Sequence, residues 1–143
     1  MCRLLAVLLI FALTIPAFSD DSGKGASSLP RGAELIGIAT AGSNDHGIDQ
    51  RLKKGLDSLA SLIKQISVDT TILIEAYSPG KRTKVREEQI KNSFTLAENV
   101  EQYLRIQHKL ENNFIIAIWQ DTEESGNMPK VRLTTYPRDF FEN

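Results

Sequence analysis

The sequence predicts a two-layer α/β sandwich in which two helices cover one face of a mixed four-stranded sheet, an α+β arrangement. Four short apolar or β-branched runs and two amphipathic segments follow one another in the order β-α-β-α-β-β. Each amphipathic segment comes after a strand, so both helices can return across the same face of one sheet. We expect these elements to form a single domain at residues 33–143.

The first half of the domain is predicted to be a strand and an amphipathic helix. The strand is Ala33–Thr40, a short apolar run with Ile36 and Ile38 on one face. After a polar loop, apolar residues recur every three or four positions from Ile48 to Ile66, which indicates one face of a helix. Gly55 lies inside this helix and is expected to weaken it by about 1 kcal/mol relative to alanine.

The second strand is predicted at Thr70–Tyr77, which is β-branched and apolar. Pro79 and Gly80 end it, because proline has no backbone donor and glycine tolerates turn dihedrals. A second helix follows over about Arg86–Leu110. Its inner stripe is expected to consist of Ile90, Phe94, Leu96, Ala97, Val100, Tyr103 and Leu104.

The last two strands are predicted from runs of different pattern. Phe114–Trp119 is apolar without interruption, which favours a central strand that is buried on both faces. A polar turn at 121–129 follows. Lys130–Tyr136 then alternates apolar and polar residues, with Arg132 on the polar side, and predicts a strand with one wet face. Pro137 stops this strand.

The first 19 residues predict a secretory signal peptide. Arg3 precedes the apolar run Leu4–Ile15, and small residues stand at Ala17 and Ser19. The run is shorter than the about 20 apolar residues of a transmembrane helix, so an uncleaved anchor is the less favoured alternative. Cleavage after Ser19 predicts a periplasmic protein without stable membrane insertion. Residues 20–32, rich in serine and glycine, are then a flexible leader.

The charge balance and the single cysteine argue against several functional classes. The chain has 17 basic and 18 acidic residues, and its net charge of −1 gives no strong field for nucleic acid. Cys2 is the one cysteine, so no intrachain disulfide is possible. It also precedes the apolar run, whereas a lipidated cysteine normally stands at the cleavage site. The lack of an Asn-x-Ser/Thr acceptor is consistent with a bacterial periplasmic location.

Two stretches around the start of the second helix carry a resemblance. The strand end Glu75–Gly80 reads E-A-Y-S-P-G, and the helix has Gln89, Asn92, Ser93, Leu96, Ala97, Val100, Tyr103 and Leu104 in one register. Over about 33–136 the chain thereby resembles the OmpA C-terminal-like domain, the peptidoglycan-binding module that is also found in flagellar stator proteins. That family's loop reads E-G-H-T-D-x-x-G and its helix reads N-x-x-L-S-x-x-R-A-x-x-V-x-x-Y-L. The resemblance implies the fold predicted above.

The resemblance also implies a ligand site, and this chain departs from it there. In the family, the loop aspartate and the helix arginine grip the diaminopimelate of the stem peptide through charge-assisted hydrogen bonds. Here Pro79 and Leu96 stand at those positions, and each lost pairing should cost about 1.5–3 kcal/mol. Pro79→Asp with Leu96→Arg should create binding if the family geometry is otherwise intact. If Leu96 is instead fully buried, the arginine will unfold the helix and this register is wrong.

The candidate ligand-binding residues lie around the loop after the second strand. They are Tyr77, Ser78, Lys81, Arg82, Arg86, Gln89 and Ser93. The loop cations could hold an acidic stem peptide or an acidic partner in place of the lost arginine. The plainer alternative is a solvated loop whose charges are balanced by Glu87 and Glu88.

No other group of residues predicts chemistry, and no catalytic residue, metal or cofactor is expected. His46 and His108 are far apart, lack a cysteine at ligand spacing and are expected to be exposed. Glu75 and Asp121 each end a strand and could form a carboxylate pair, but solvated side chains are the favoured interpretation. Nucleophile motifs and phosphate-binding glycine loops do not occur.

Three aromatic residues towards the C-terminus have two interpretations each. Trp119 ends an apolar strand and is expected in the core rather than in a ligand platform. Phe140 and Phe141 follow Pro137 in a polar stretch, and they are expected to dock either on this domain or on a partner.

These observations predict a non-enzymatic periplasmic cell-envelope protein with weakened or altered peptidoglycan binding, as an accessory part of an envelope assembly. Its expected partners are peptidoglycan or envelope proteins. The first alternative is a true peptidoglycan binder that uses basic loop residues such as Arg82 and Arg86. A small secreted enzyme is the last alternative.

Overall fold

One sheet and one layer of helices make up the computed structural model, which describes residues 29, 32–44, 47–79, 86–119 and 128–136. The elements are β1 (Glu34–Thr40), α1 (Gln50–Ile63), β2 (Thr71–Tyr77), α2 (Arg86–His108), β3 (Phe114–Ile118) and β4 (Lys130–Tyr136). The predicted α/β sandwich and its element order are confirmed. The predictions that lie outside the described residues concern the signal peptide, almost all of the leader, His46, Lys81, Arg82, Asp121, Phe140 and Phe141.

The strand order is β1-β4-β2-β3, with β4 antiparallel to both of its neighbours and β3 parallel to β2. The prediction that Phe114–Trp119 is a central strand is therefore wrong. The last strand returns between β1 and β2 and leaves β3 at the edge, where Ile115 is 37% exposed. The predicted burial of both faces is wrong as well, because only Phe114 among the five residues of β3 is fully buried. An apolar run does not specify how many neighbours a strand has.

A β-bulge in β1 changes which of its residues share a face. The pairing with β4 shifts between Leu35 and Gly37, so that Leu35 lies opposite Thr134 and Ile38 lies opposite Arg132. Ile36 packs against the core, whereas Ile38 is exposed on the side of the sheet away from the helices. The prediction that Ile36 and Ile38 share a face is wrong, because the extra residue of a bulge breaks the strict alternation of a strand.

The core lies between the sheet and the two helices. The helices contribute Leu52, Leu56, Leu59, Ala60, Ile63, Leu96, Ala97, Val100 and Leu104, all buried. The strands contribute Ala39, Ile72, Ile74, Ala76, Phe114, Val131 and Leu133. We call the side of the sheet that α1 and α2 leave uncovered the helix-free face, a name that refers to the described residues only; it carries the residues that alternate with these, including Leu73, Glu75, Arg132 and Thr134.

The inner stripe of α2 differs from the predicted one at its N-terminal end. Its buried residues are Ser93, Leu96, Ala97, Val100 and Leu104. Ile90 and Phe94 are 39% and 42% exposed, so their predicted place in the core is wrong. Phe94 follows Ser93 by one residue and is therefore turned by about 100° around the helix axis.

The start of α1 is set by the Asp49 side chain. Its Oδ1 accepts a hydrogen bond from the Leu52 N–H at 2.8 Å, and its Oδ2 accepts from the N–H groups of Gly42 at 2.6 Å and Ser43 at 2.9 Å. Burial raises the pKa of Asp49, but these backbone hydrogen bonds outweigh it and lower the pKa below its usual value. The helix accordingly begins at Gln50 rather than at Ile48.

A hydrogen-bonded cluster joins the two helices. Asp57 Oδ1 accepts a bond from the Tyr103 hydroxyl at 2.7 Å and lies 2.7 Å from His108 Nε2. The hydrogen bond from Tyr103 and, to a smaller extent, the one with His108 lower the pKa of Asp57, so the Asp57 side chain is a carboxylate. The His108 side chain is only 18% exposed, which corrects its predicted exposure.

Within the described ranges, no group of potential ligands is arranged to hold a metal.

Replacing Gly55 by alanine is expected to destabilise the protein, because α1 packs directly on β1 at this position. A Cβ atom on Gly55 would lie 2.8 Å from the Cβ of Ala39, which is closer than packed carbons allow. Overpacking of about 1–3 kcal/mol should exceed the about 1 kcal/mol gained in helix propensity. We expect the free energy of unfolding, measured in urea, to fall by about 1 kcal/mol.

The matched control for Gly55→Ala is the double variant with Ala39→Gly, which removes the opposing methyl group. It should recover most of the packing loss. A single Gly55→Ala variant that is more stable than the parent would show that helix propensity decides this position.

Candidate functional site

The backbone at the end of β2 is held by two side chains from the first turns of α2. The Ser78 N–H donates a hydrogen bond to Ser93 Oγ at 2.9 Å, and both residues are buried. Gln89 Nε2 donates to the Pro79 carbonyl oxygen at 3.4 Å. Gln89 and Ser93, both predicted as ligand-binding residues, therefore position the start of the loop through their hydrogen bonds.

Tyr77 and Arg86 make no hydrogen bond of this kind, and Lys81 and Arg82 lie outside the described residues. Tyr77 alternates along β2 with the core residues Ile74 and Ala76, so its side chain belongs to the helix-free face. Arg86 is exposed at the first position of α2, ahead of the acidic Glu87 and Glu88. The Tyr77 side chain and the side chains of Gln89 and Ser93 therefore lie on opposite sides of the sheet.

The two positions that matter most for the resemblance hold buried apolar side chains. Pro79 is buried at the place of the family's aspartate. Leu96, at the place of the arginine, is 1% exposed and packs in the core. Leu96 therefore meets the condition under which an arginine unfolds the helix, and we no longer expect Pro79→Asp with Leu96→Arg to create binding. By the same condition the register that equates position 96 with the family's arginine is wrong, because position 96 is a packing position with no room for a guanidinium.

Two side-chain amides near the same edge of the sheet were not predicted to be binding groups. Asn92 Nδ2 on α2 and Asn44 Oδ1 in the loop after β1 are buried, and neither has a hydrogen-bond partner. The parallel strands β1 and β2 both end at this edge, so the loop after β1 and the start of α2 share it. These two atoms are a neutral donor and a neutral acceptor. No sequence signal identifies them, because the lack of a partner appears only after folding.

A buried ion pair occupies the helix-free face. Arg132 Nε donates to Glu75 Oε2 at 2.6 Å, and the two residues lie directly opposite in the β2–β4 register. The side chains of Arg132 and Glu75 are only 3% and 12% exposed. The predictions of a solvated Glu75 and of a wet face on β4 are therefore wrong. Because β4 lies between two other strands, its polar side chains lie beside those of the neighbouring strands instead of in water.

Trp119 lies beside this ion pair. The Arg132 guanidinium carbon is 4.9 Å from the centre of the Trp119 ring, and Lys130 Nζ is 5.9 Å from it. Such distances permit cation–π attraction. Trp119 is 6% exposed, but it packs on the helix-free face and does not belong to the core between the sheet and the helices.

No helix in the described ranges combines the length and the apolar character that crossing a bilayer requires.

Comparison with known proteins finds similarity in structure only. Searches of protein-family profiles and of curated protein sequences give no match. The periplasmic domain of MotB is similar with a TM-score of 0.50 and 12% identity, over 97% of this chain and 92% of that one. The OmpA-like domain of FopA1 from Francisella tularensis has a TM-score of 0.48 and 16% identity, over 77% of this chain and 78% of that one.

At these identities the similarity shows the fold and does not extend to the ligand. The order of elements, the mixed sheet and the placement of both helices on one face agree with the architecture that the resemblance implies. The chain therefore has an OmpA-like fold.

Proposed function

We propose that this chain is a non-enzymatic periplasmic cell-envelope protein whose OmpA-like domain binds peptidoglycan weakly or in an altered way. The observation that carries the proposal is that Pro79, at the end of β2, and Leu96, in α2, are buried apolar residues, so that neither can supply part of a charged grip. An inherited scaffold of this kind is suited to protein contacts in an envelope assembly. Export through the signal peptide is part of the proposal. Mass spectrometry of the exported protein should show that its chain begins at Asp20.

Two carboxylates near this edge of the sheet support the proposal, because each is engaged in other bonds. Asp49 accepts hydrogen bonds from three backbone N–H groups as it caps α1. Glu75 is paired with Arg132 on the helix-free face. An ammonium group that approached Asp49 or Glu75 would therefore compete with existing hydrogen bonds.

Co-sedimentation with purified peptidoglycan tests this function. We expect little retention at physiological salt. At low salt we expect weak retention, because the attraction exerted by a loop with several cations is screened as salt is added. The protein must be shown to be folded by circular dichroism. A positive control is an OmpA-like domain that keeps both the loop aspartate and the helix arginine. Saturable binding that survives physiological salt would contradict the proposal.

A true peptidoglycan binder that uses basic residues is the second candidate, and the exposure of Arg86 at the start of α2 favours it. In that case Arg86→Gln combined with Lys81→Gln and Arg82→Gln should abolish retention. The matched control is Arg105→Gln, which removes an exposed cation near the other end of α2, where Arg105 pairs with Glu101. Equal retention by both variants would exclude a site at the basic loop.

A further inference from the structure

The strand β3 has the sequence of a central strand but the position of an edge strand. All five of its residues are apolar, whereas an edge strand normally carries a charge, a proline or a bulge that prevents pairing with another chain. Among the described residues, β3 pairs with β2 alone, and Ile115 is 37% exposed. A further strand beside β3 would bring its sequence and its position into agreement.

The backbone groups that β3 presents at its open edge belong to alternate residues. On the side of β2, the Ile72 N–H donates a hydrogen bond to the Asn113 carbonyl oxygen at 2.9 Å. The Trp119 N–H donates to the Ala76 carbonyl oxygen at 2.8 Å. Because backbone groups alternate in direction along a strand, the odd-numbered residues face β2. The residues whose N–H and C=O groups point to the open edge are therefore Phe114, Ile116 and Ile118.

This edge is complementary to itself in an antiparallel pair that is centred on Ile116. Ile116 then lies opposite the same residue of a second copy, and Phe114 lies opposite the partner's Ile118. Each of these pairs exchanges two hydrogen bonds, so every outward N–H meets an outward C=O. On the helix-free face, Ile115 lies opposite the partner's Ala117, and the small side chain leaves room for the large one.

The helix layer fits the same pairing. α2 packs on β2 and β3, and it holds the Arg105 guanidinium carbon 4.8 Å from the centre of the Phe114 ring. Strands are about 4.8 Å apart, so an α2 axis above the middle of β2 and β3 lies about 5 Å from the twofold axis. The two copies of α2 are then about 10 Å apart, which is a usual distance between packed helices.

The flank of α2 that would face the partner is marked by Arg105, which lies over β3. Glu101 precedes Arg105 by one turn and Phe94 by three turns, so the three residues share this flank. Phe94 is 42% exposed, and Glu101 pairs with Arg105 at 2.9 Å, so these side chains approach a second copy without net charge. A single peptide strand at the edge would bring no helix to cover Phe94. The occupant that fits is therefore a second copy of this chain.

We propose that β3 is the self-association surface of this protein, where two copies pair antiparallel and join their four-stranded sheets into one continuous sheet. The twofold axis is perpendicular to the sheet, so both helix layers lie on the same side and α2 packs against its counterpart. Antiparallel pairing places the β2–α2 ends of the two copies at opposite ends of the dimer, and the two candidate sites face away from each other. The pairing does not depend on whether the domain binds peptidoglycan.

Sedimentation velocity of the full chain over a wide range of concentrations measures the association. Ile115→Lys places a charge on the edge strand, where it disfavours pairing, and should raise the dissociation constant of the dimer at least about tenfold. The matched control is Leu35→Lys, the same change at an exposed position of β1 on the opposite edge, and it should leave the constant unchanged. A parent protein that is monomeric at every concentration, or a dimer that Ile115→Lys leaves intact, would overturn the proposal.

Amide hydrogen exchange in the parent protein locates the contact without any substitution. The N–H groups of Ile115 and Ala117 point to β2, so they should be protected in monomer and dimer alike. The amides that should lose at least about tenfold of their protection when dilution separates the copies are those of Phe114, Ile116 and Ile118. If Ile115→Lys fails to fold, this alternation decides. Protection of all five amides in a monomeric sample would contradict the proposal, because the cover would then come from the same chain.

Discussion

Replacing Arg132 by methionine is expected to lower the free energy of unfolding by about 3–5 kcal/mol, because it leaves the buried Glu75 carboxylate without its partner. Methionine fills a similar volume, so the loss is electrostatic more than steric. The contact of the guanidinium with Trp119 is lost as well, and this adds about 1 kcal/mol. Urea denaturation at neutral pH measures the effect, with the fluorescence of Trp119 as the probe.

The control for this prediction is a double variant in which both charges are removed, Arg132→Met with Glu75→Leu. Replacing a buried ion pair by apolar residues is often nearly neutral, so the double variant should regain most of the stability lost by Arg132→Met alone. Arg105→Met removes an exposed cation from α2 and should cost less than about 1 kcal/mol. Additive losses at Glu75 and Arg132 would show that the two groups do not interact.

Replacing Leu96 by arginine is expected to abolish cooperative unfolding, because the side chain is 1% exposed in the core. Removing a buried leucine costs about 2–5 kcal/mol, and an unpaired buried guanidinium costs several more. The sum is comparable to the about 5–15 kcal/mol that stabilises a whole domain. Circular dichroism and the dispersion of amide resonances measure the loss of fold.

The matched control is Glu98→Arg, which places the same side chain two residues further along α2 at an exposed position. It should fold normally and change the stability by less than about 1 kcal/mol. A Leu96→Arg variant that stays folded, and that binds peptidoglycan when combined with Pro79→Asp, would contradict both the structure at this position and the proposed function.

The elements could be predicted because each depends on local sequence. The apolar period of 3.6 identified both helices, and the β-branched and apolar runs identified all four strands within one or two residues. The resemblance around Ser93 and Leu104 pointed to the OmpA-like fold without any knowledge of the pairing of strands. The candidate site was harder to predict, because its residues were assigned by position in a motif. Gln89 and Ser93 hold the backbone of the loop, and Tyr77 belongs to the other face of the sheet.

The sequence by itself determined which segments become helices and strands, the order in which they follow one another, and the lack of the charged pair at positions 79 and 96. Only the tertiary structure decided that β4 lies between β1 and β2, that a bulge separates Ile36 from Ile38, and that Glu75 meets Arg132 in a buried pair. The physical reason is the range of the interactions. Helix and strand propensity act between near neighbours, whereas 57 positions of chain separate Glu75 from Arg132, and the order of strands alone brings the two charges together.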